Sequence, residues 1–382
     1  MQDSHSAINV QSAAFARLRT HARFSPLTSD LRPLPSRRHA AFTLTELLIV
    51  IAIIAVLAGL IAAAAVNALR AARRNSIVLE IKNVSAAIEN FKTDYGAYPP
   101  NAMSQGVAAP DFNAPANAGK PPALVKADFV RMFKKAFPRH QEPAELIEAM
   151  AGVPPATTIV LTTPLANGMR GNEALVFWLG GFSSNEQYPI SGEGGPSFLV
   201  ADGEVMEDRN RRYEFDLGLL GPRNDAGGFD ESKGRFINYS VDTGNGAGSQ
   251  DRRINFWQFT PKGSQQPLVY FDVSRHKPGP DTLKGRYDGW AGLPGSIPTI
   301  YALKQPREGV TNPTVPNDYA FVNQGKFQVV HAGLDDDWGD YSALGFWTSA
   351  NPNYYPDGPF IGPIADNLSN FTDGTLEDAS EE

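Results

Sequence analysis

The sequence predicts an α+β protein: a long N-terminal transmembrane-plus-amphipathic helix packed on a small antiparallel sheet, with a large loop-rich insertion. Three observations predict it. Residues 47–66 are one unbroken apolar run. The residues after it keep a helical period but place their apolar side chains on a single stripe. The second half of the chain alternates short β-branched and aromatic runs with Gly-rich and Pro-rich turns.

The apolar run reads LLIVIAIIAVLAGLIAAAAV, 20 residues without a polar side chain. At about 1.5 Å per residue, a helix of this length spans about 30 Å, the thickness of a hydrocarbon core. A membrane span therefore explains it better than a buried core helix. A secretory signal peptide would have a shorter apolar core and a cleavage site behind it. Charge changes sharply at the run. The 382-residue chain has a net charge of −7, yet residues 1–41 carry six Arg against two Asp, a net of +4, which leaves −11 on the rest. Arg37 and Arg38 precede the run and favour a cytoplasmic N-terminus. Arg70, Arg73 and Arg74 beyond it pull the other way.

Past Val66, the residues Ile77, Ile81, Val84, Ile88, Phe91 and Tyr95 recur at steps of three and four. They predict one continuous helix from Phe42 to Tyr95 whose second half packs on a core. Gly96 stops it, with Pro99 and Pro100 behind as breakers.

Residues 101–125 are rich in Ala, Pro, Asn and Gly and read as a linker. Helices are expected over 126–137, 142–150 and 172–179, the last with Asn172 as N-cap and Gly180-Gly181 as its stop. Strands are expected over 268–273 and 297–303. The pair 319–322 and 327–330, around Asn323-Gln324-Gly325-Lys326, reads as a hairpin. Residues 182–262 give no firm pattern, and Gly244 to Gly248 reads as a turn.

The chain has no Cys, which excludes disulfide scaffolds, thiol enzymes and zinc ribbons. The net negative charge argues against a general nucleic-acid binder. No zinc-protease, nucleophile-elbow or P-loop pattern is present. Acid pairs such as Asp202 with Glu204 read as solvated surface charges, so no enzyme activity is expected. Two positions stand out. Glu46 is a carboxylate at the mouth of an apolar helix, and such acids usually mark a function and a partner. Asp335, Asp336, Asp337, Asp340 and Asp366 lie beyond Lys326, after which the sequence has no further Lys or Arg. Carboxylates on Gly-containing loops suit Ca²⁺, which takes 6–8 oxygen ligands.

The stretch Ala41-Phe42-Thr43-Leu44-Thr45-Glu46-Leu47-Leu48-Ile49-Val50, after a basic leader, resembles the cleavage and methylation signal of type IV pilins and type II secretion pseudopilins. Ala41 stands where the family usually has Gly. The segment Tyr95-Gly96-Ala97-Tyr98-Pro99 is also similar to that family's helix-to-head junction. The resemblance implies a leader at 1–41, cut between Ala41 and Phe42 by a prepilin peptidase, and methylation of the new Phe42 amine. It implies a transmembrane helix over 42–66, an amphipathic continuation over 67–95 and a periplasmic head over 96–382. Glu46 is then an assembly residue. The implied partners are other pseudopilin subunits, an inner-membrane secretion platform and membrane lipid. Pseudopilins often bind calcium in a C-terminal loop, and Gly333-Leu334-Asp335 and Ala365-Asp366 match its outline. Asp335, Asp337, Asp340 and Asp366 are the expected ligands. The resulting expectation is a structural subunit of a type II secretion pseudopilus. The competing expectations are a minor type IV pilin for adhesion or DNA uptake, and a membrane-anchored periplasmic binding protein or enzyme.

Overall fold

A computed structural model describes residues 43–101, 122–153, 159–162, 165, 168–200, 209–221, 234–244, 246–274, 286–287, 300–311, 313, 318–339 and 354–381. The chain divides into two compact units that part between Ile61 and Ala62.

In the first unit the described residues are one helical segment. It opens helix α1 (Leu44–Tyr95), which continues into the second unit. An 18-residue window of α1 has a mean hydropathy of 3.1, and none of it is buried by the protein. Apolar surface left bare in this way is paired with water only at high cost, which suits a lipid environment.

The second unit contains an α+β head. The stripe expected on α1 is its buried face: Ile77, Ile81, Val84, Ile88 and Phe91 are fully enclosed. The helix ends where expected. Gly96 takes φ +69°, and its N–H donates to Lys92 O at 2.6 Å, a left-handed C-terminal cap. The junction behind it is fixed by side chains from the core. Tyr270 donates to Pro99 O at 2.8 Å, and Trp178 donates to Pro100 O at 3.1 Å.

Helices α2 (Pro122–Ala136), α3 (Ala144–Met150) and α4 (Gly171–Leu179) follow. They match the three expected helices with shifted ends. Pro122 to Val125, assigned above to a linker, are helical, while 102–121 lie outside the described residues. Asn172 is not the N-cap of α4. Arg170 holds that place, its N–H donating to Glu173 Oε2 at 2.8 Å, and Asn172 instead reaches Gln258 Oε1 at 2.7 Å. The buried amide is worth more satisfied in the core than on a helix end that Glu173 already caps.

Residues 182–262, which gave no firm pattern, hold an antiparallel sheet. Its strands are β1 (Ser197–Leu199), β2 (Arg235–Val241) and β3 (Gln250–Phe256), in the order β1-β3-β2. Residues Ile159 and Leu161 add to its β2 edge, with Leu161 N–H on Asn238 O at 2.8 Å. The β2–β3 hairpin pairs Val241 with Gln250, so the Gly244 to Gly248 stretch is its turn.

The second sheet has the order β10-β9-β4, from β4 (Val269–Asp272), β9 (Phe327–His331) and β10 (Leu368–Ser369). Every residue of the three strands is buried. The cause is cover on both faces. Tyr270, Phe327 and Val329 join the core under α1, and Val269, Phe271 and Val330 join a second core with Trp338, Ile364 and Leu376. Helix α5 (Leu376–Glu381) supplies that last residue.

Two small ladders complete the described strands: β5 (Arg286–Tyr287) with β6 (Ile300–Tyr301), and β7 (Lys304–Pro306) with β8 (Tyr319–Phe321). The expected hairpin is therefore corrected. Residues 323–326 do turn, with Lys326 N–H on Asn323 O at 2.9 Å, but β8 pairs with β7 and β9 pairs with β4 and β10. The buried Gln328 side chain takes over the join. Its Nε2 donates to Leu303 O and Val322 O, and its Oε1 accepts from Leu303 N–H, each at 2.8 Å.

Candidate functional site

The start of α1 is set by a reciprocal pair. Thr43 N–H donates to Glu46 Oε2 at 2.9 Å, and Thr43 Oγ1 donates to the same oxygen at 2.8 Å. In return Glu46 N–H donates to Thr43 Oγ1 at 3.2 Å. This is a capping box, in which two donors that helix geometry leaves free are satisfied. The carboxylate also lies where the helix dipole favours negative charge. Glu46 is exposed, and the recorded bonds all fall on Oε2, so Oε1 has no partner among the described residues. The sequence reading singled out Glu46 and missed Thr43. The signal was there, since Thr-x-x-Glu before an apolar run is the capping-box pattern. Ala41, Phe42, Asp202, Glu204 and Asp340 lie outside the described residues.

The C-terminal acids sit in a different setting from the one their sequence suggests. Their run has no basic neighbour in sequence, but α1 supplies two. Arg73 pairs with Asp336 at 2.7 Å, and the adjacent Arg74 pairs with Asp378. Asp336 adopts φ +59°, which turns its carboxylate back onto Ser264 Oγ and Gln265 N–H. A chain of polar groups runs inward from there, from half-buried Ser264 to buried His331. Ser264 Oγ lies 2.9 Å from His331 Nε2, and Gly333 N–H donates to His331 Nδ1 at 3.1 Å. Nδ1 is thus the acceptor, so the ring proton belongs on Nε2, facing Ser264 Oγ. Burial pushes the His331 imidazole down to about 4. Asp336 opposes that shift and Arg73 adds to it. Tyr213 also donates to Glu80 on α1, and burial raises its phenol well above the ordinary value.

Asp335 and Asp366 remain. Burial raises the Asp335 carboxyl above its ordinary value, and the charges of Asp366 and Asp337 push the same way. Asp366 Oδ2 accepts Leu334 N–H at 2.6 Å, Asp335 Oδ1 accepts Asp337 N–H, and Asp337 Oδ1 accepts Gly339 N–H. Among the described residues, no group of three or more His, Asp or Glu is placed to hold a metal ion. Asp335 and Asp366 are near enough for their charges to repel, and they are the two carboxylates that a hard cation would have to bridge. The rest of a calcium shell would fall to backbone oxygens and water.

Glu142 is a buried acid that escaped the sequence reading. Glu142 Oε1 accepts Ile190 N–H and Ser191 N–H, each at 2.7 Å, and its Oε2 accepts Ser191 Oγ at 2.9 Å. It is only 4% exposed and staples the start of α3 to the turn before β1. Nothing in its local sequence separates it from a surface Glu.

The prokaryotic N-terminal methylation motif matches this chain over residues 36–62. The match covers Ala41, Phe42, Thr43 and Glu46, and it supports a type IV pilin-like protein. No curated protein and no solved structure matches the chain.

Proposed function

We propose that this chain is a structural subunit of a type II secretion pseudopilus, cut between Ala41 and Phe42 and methylated on the new Phe42 amine. The methylation motif implies processing by a prepilin peptidase and assembly with other pilin-like subunits. The finer reading, a secretion pseudopilus, rests on charge. A head for DNA uptake needs clustered cations, and residues 42–382 carry a net −11. In this reading the N-terminus stays in the cytoplasm, α1 crosses the inner membrane once and the head lies in the periplasm.

The observation that carries the proposal is the Thr43–Glu46 pair directly behind the cleavage signal. The Thr43 N–H belongs to the Phe42–Thr43 peptide bond, which cleavage after Ala41 leaves intact. The cap therefore serves the precursor and the mature chain alike. Cleavage creates an α-amine with a reference pKa near ~8, a cation at neutral pH. Glu46 of a neighbouring subunit keeps Oε1 for that cation while Oε2 holds its own helix start. An ion pair in an apolar bundle is strong, and either charge left alone there is costly. Asp335 and Asp366 enter the proposal as ligands of one Ca²⁺ that steadies the C-terminal loops. The head is read as structural, without a catalytic role.

Mass spectrometry of the full chain extracted from membranes tests the proposal. An N-terminal methyl-Phe at residue 42 is expected. An intact leader in cells with an active prepilin peptidase overturns it. Deletion of the gene should stop export of a secreted protein and leave surface pili unchanged, whereas lost pili with intact export would move the assignment to a minor pilin.

A further inference from the structure

Charge on the head is sorted along α1. Residues 327–382 carry eleven Asp and Glu and no Lys or Arg, so the whole −11 of residues 42–382 resides there. Much of it gathers at Arg73 and Arg74, which hold Asp336 and Asp378. Asp335 and Asp337 flank the first of these acids, and Glu377 precedes the second. Asp373 precedes Gly374, which lies against Arg74. The cation beside them is Lys262, next to Gly263 and Arg73.

The other end is basic. From Arg74 to Tyr95, α1 rises about 32 Å at about 1.5 Å per residue. There the Phe137 ring packs 6.4 Å from the Tyr95 ring, and the Lys135 ammonium lies against Gly96. Residues 122–141, which are α2 and the turn after it, carry five Lys and Arg against Asp128, a net of +4. Lys134 and Lys135, in the last turn of α2, are exposed. Asp94 and Glu186 at this end are already held by Arg212 and Arg139. Exposed Lys326 adds to the positive side, since the ring of its neighbour Phe327 meets Tyr98 at 5.2 Å.

The head is thus negative at its Arg74 end and positive at its Gly96 end. Copies that enter one membrane with the same end first all point α1 the same way. Two such heads in line meet by unlike ends, a heterologous contact that repeats without closing. Unlike ends here also carry opposite charge. We propose that the exposed basic end of α2 in one copy docks on the acidic Arg74 end of a second copy, so that the heads stack head to tail. The stack rests on the filament reading above and adds to it which surfaces meet. Exposed ion pairs are individually weak and are screened by salt. Their role is to choose the end and the register, while the apolar stem supplies the rest of the affinity. Calcium on Asp335 and Asp366 leaves Asp337, Asp373 and Glu377 for the next copy.

The chain has no Cys, so thiol cross-linking starts from a silent background. The test treats the full chain in membranes, carrying Lys135→Cys and Glu377→Cys, with a bis-maleimide. A reagent that reaches about a third of the span between the two ends cannot join them within one head. A ladder of covalent multimers is expected from the double variant, and nothing beyond a dimer from either single variant. In the double-Cys chain, Lys134→Glu or Asp373→Lys alone should cut the ladder at least threefold, and the two together should restore it to at least half. All four positions are exposed, so these changes leave the core intact. No ladder from chains that carry methyl-Phe42 and pellet as filaments overturns the stack and leaves the filament reading standing. No ladder from chains with an intact leader overturns both. A ladder indifferent to the charge reversals, reversals that do not rescue one another, or one discrete adduct with a different protein also overturns the stack.

Discussion

Arg73 on the long helix and Asp336, five residues after the end of β9, are 263 residues apart in sequence and 2.7 Å apart in space. Asp336 also accepts from Ser264 Oγ and Gln265 N–H, so its carboxylate joins three separate stretches of chain. The acids of the C-terminal region divide accordingly. Asp336 and Asp378 clasp the helix, whereas Asp335 and Asp366 face one another's charge.

Replacing Asp336 with Ala should destabilise the head by roughly 2 kcal/mol, because it leaves the half-buried Arg73 without its acceptor and removes the contacts to Ser264 and Gln265. Arg73→Ala should cost a similar amount. The double variant should lose less than the sum, by on the order of 1 kcal/mol. Denaturant titration of the four proteins checks this, and strict additivity would show that the pair is a solvated contact.

Glu46→Ala should leave cleavage after Ala41 intact and abolish incorporation into filaments. Thr43→Ala removes the other half of the cap, costs about 1 kcal/mol of helix stability and should preserve assembly. Sedimentation of cross-linked filaments separates the two. Filaments of Glu46→Ala at the wild-type level would remove the intersubunit pair from the account.

Acid should loosen the head through His331. Above about pH 6.5 its ring is neutral in the folded and the unfolded chain, and it adds no pH dependence. Between about 6.5 and about 4 the unfolded chain takes up a proton that the buried ring refuses, so stability falls as pH falls. The loss levels off below about 4, at roughly 3 kcal/mol. His331→Gln should flatten this part of the stability curve. A wild-type curve with the same slope as the variant over that window would place the sensitivity elsewhere.

Calcium should raise the melting temperature of the full chain in detergent by a few degrees over chelator, as expected for a ligand that binds the folded state alone. Asp335→Asn should remove most of that gain by relieving the repulsion with Asp366 and deleting a ligand. A melting temperature indifferent to calcium would leave those acids as solvated turns.

The helix was legible because its signals are local. The apolar run, the 77-to-91 stripe and Gly96 each depend on neighbours within a turn or two. The β10-β9-β4 sheet was half legible. Residues 268–273 read as a strand, but two-sided cover erases the alternation that would have given its faces. The false hairpin has the same origin. A turn at 323–326 is a local fact, whereas the partner of β9 is chosen by β4, more than fifty residues away. At the site, Glu46 stood out against its apolar surroundings. The roles of Arg73 and Asp336 did not, because contacts across 263 residues leave no trace in spacing.

The closing pieces of the head come late in the chain. Strand β10, the enclosed Leu376 and the Asp378 that holds Arg74 all follow residue 367. A ribosome builds the stem helix first, and the stripe from Ile77 to Phe91 then waits for the strands that cover it. The second core stays open until residue 376 has been made. A copy stalled or truncated before residue 368 presents a bare β9 edge and leaves Arg74 without Asp378, and an open sheet edge invites wrong pairing. Synthesis order thus acts as a checkpoint, and a copy that has closed its head has been made through residue 378.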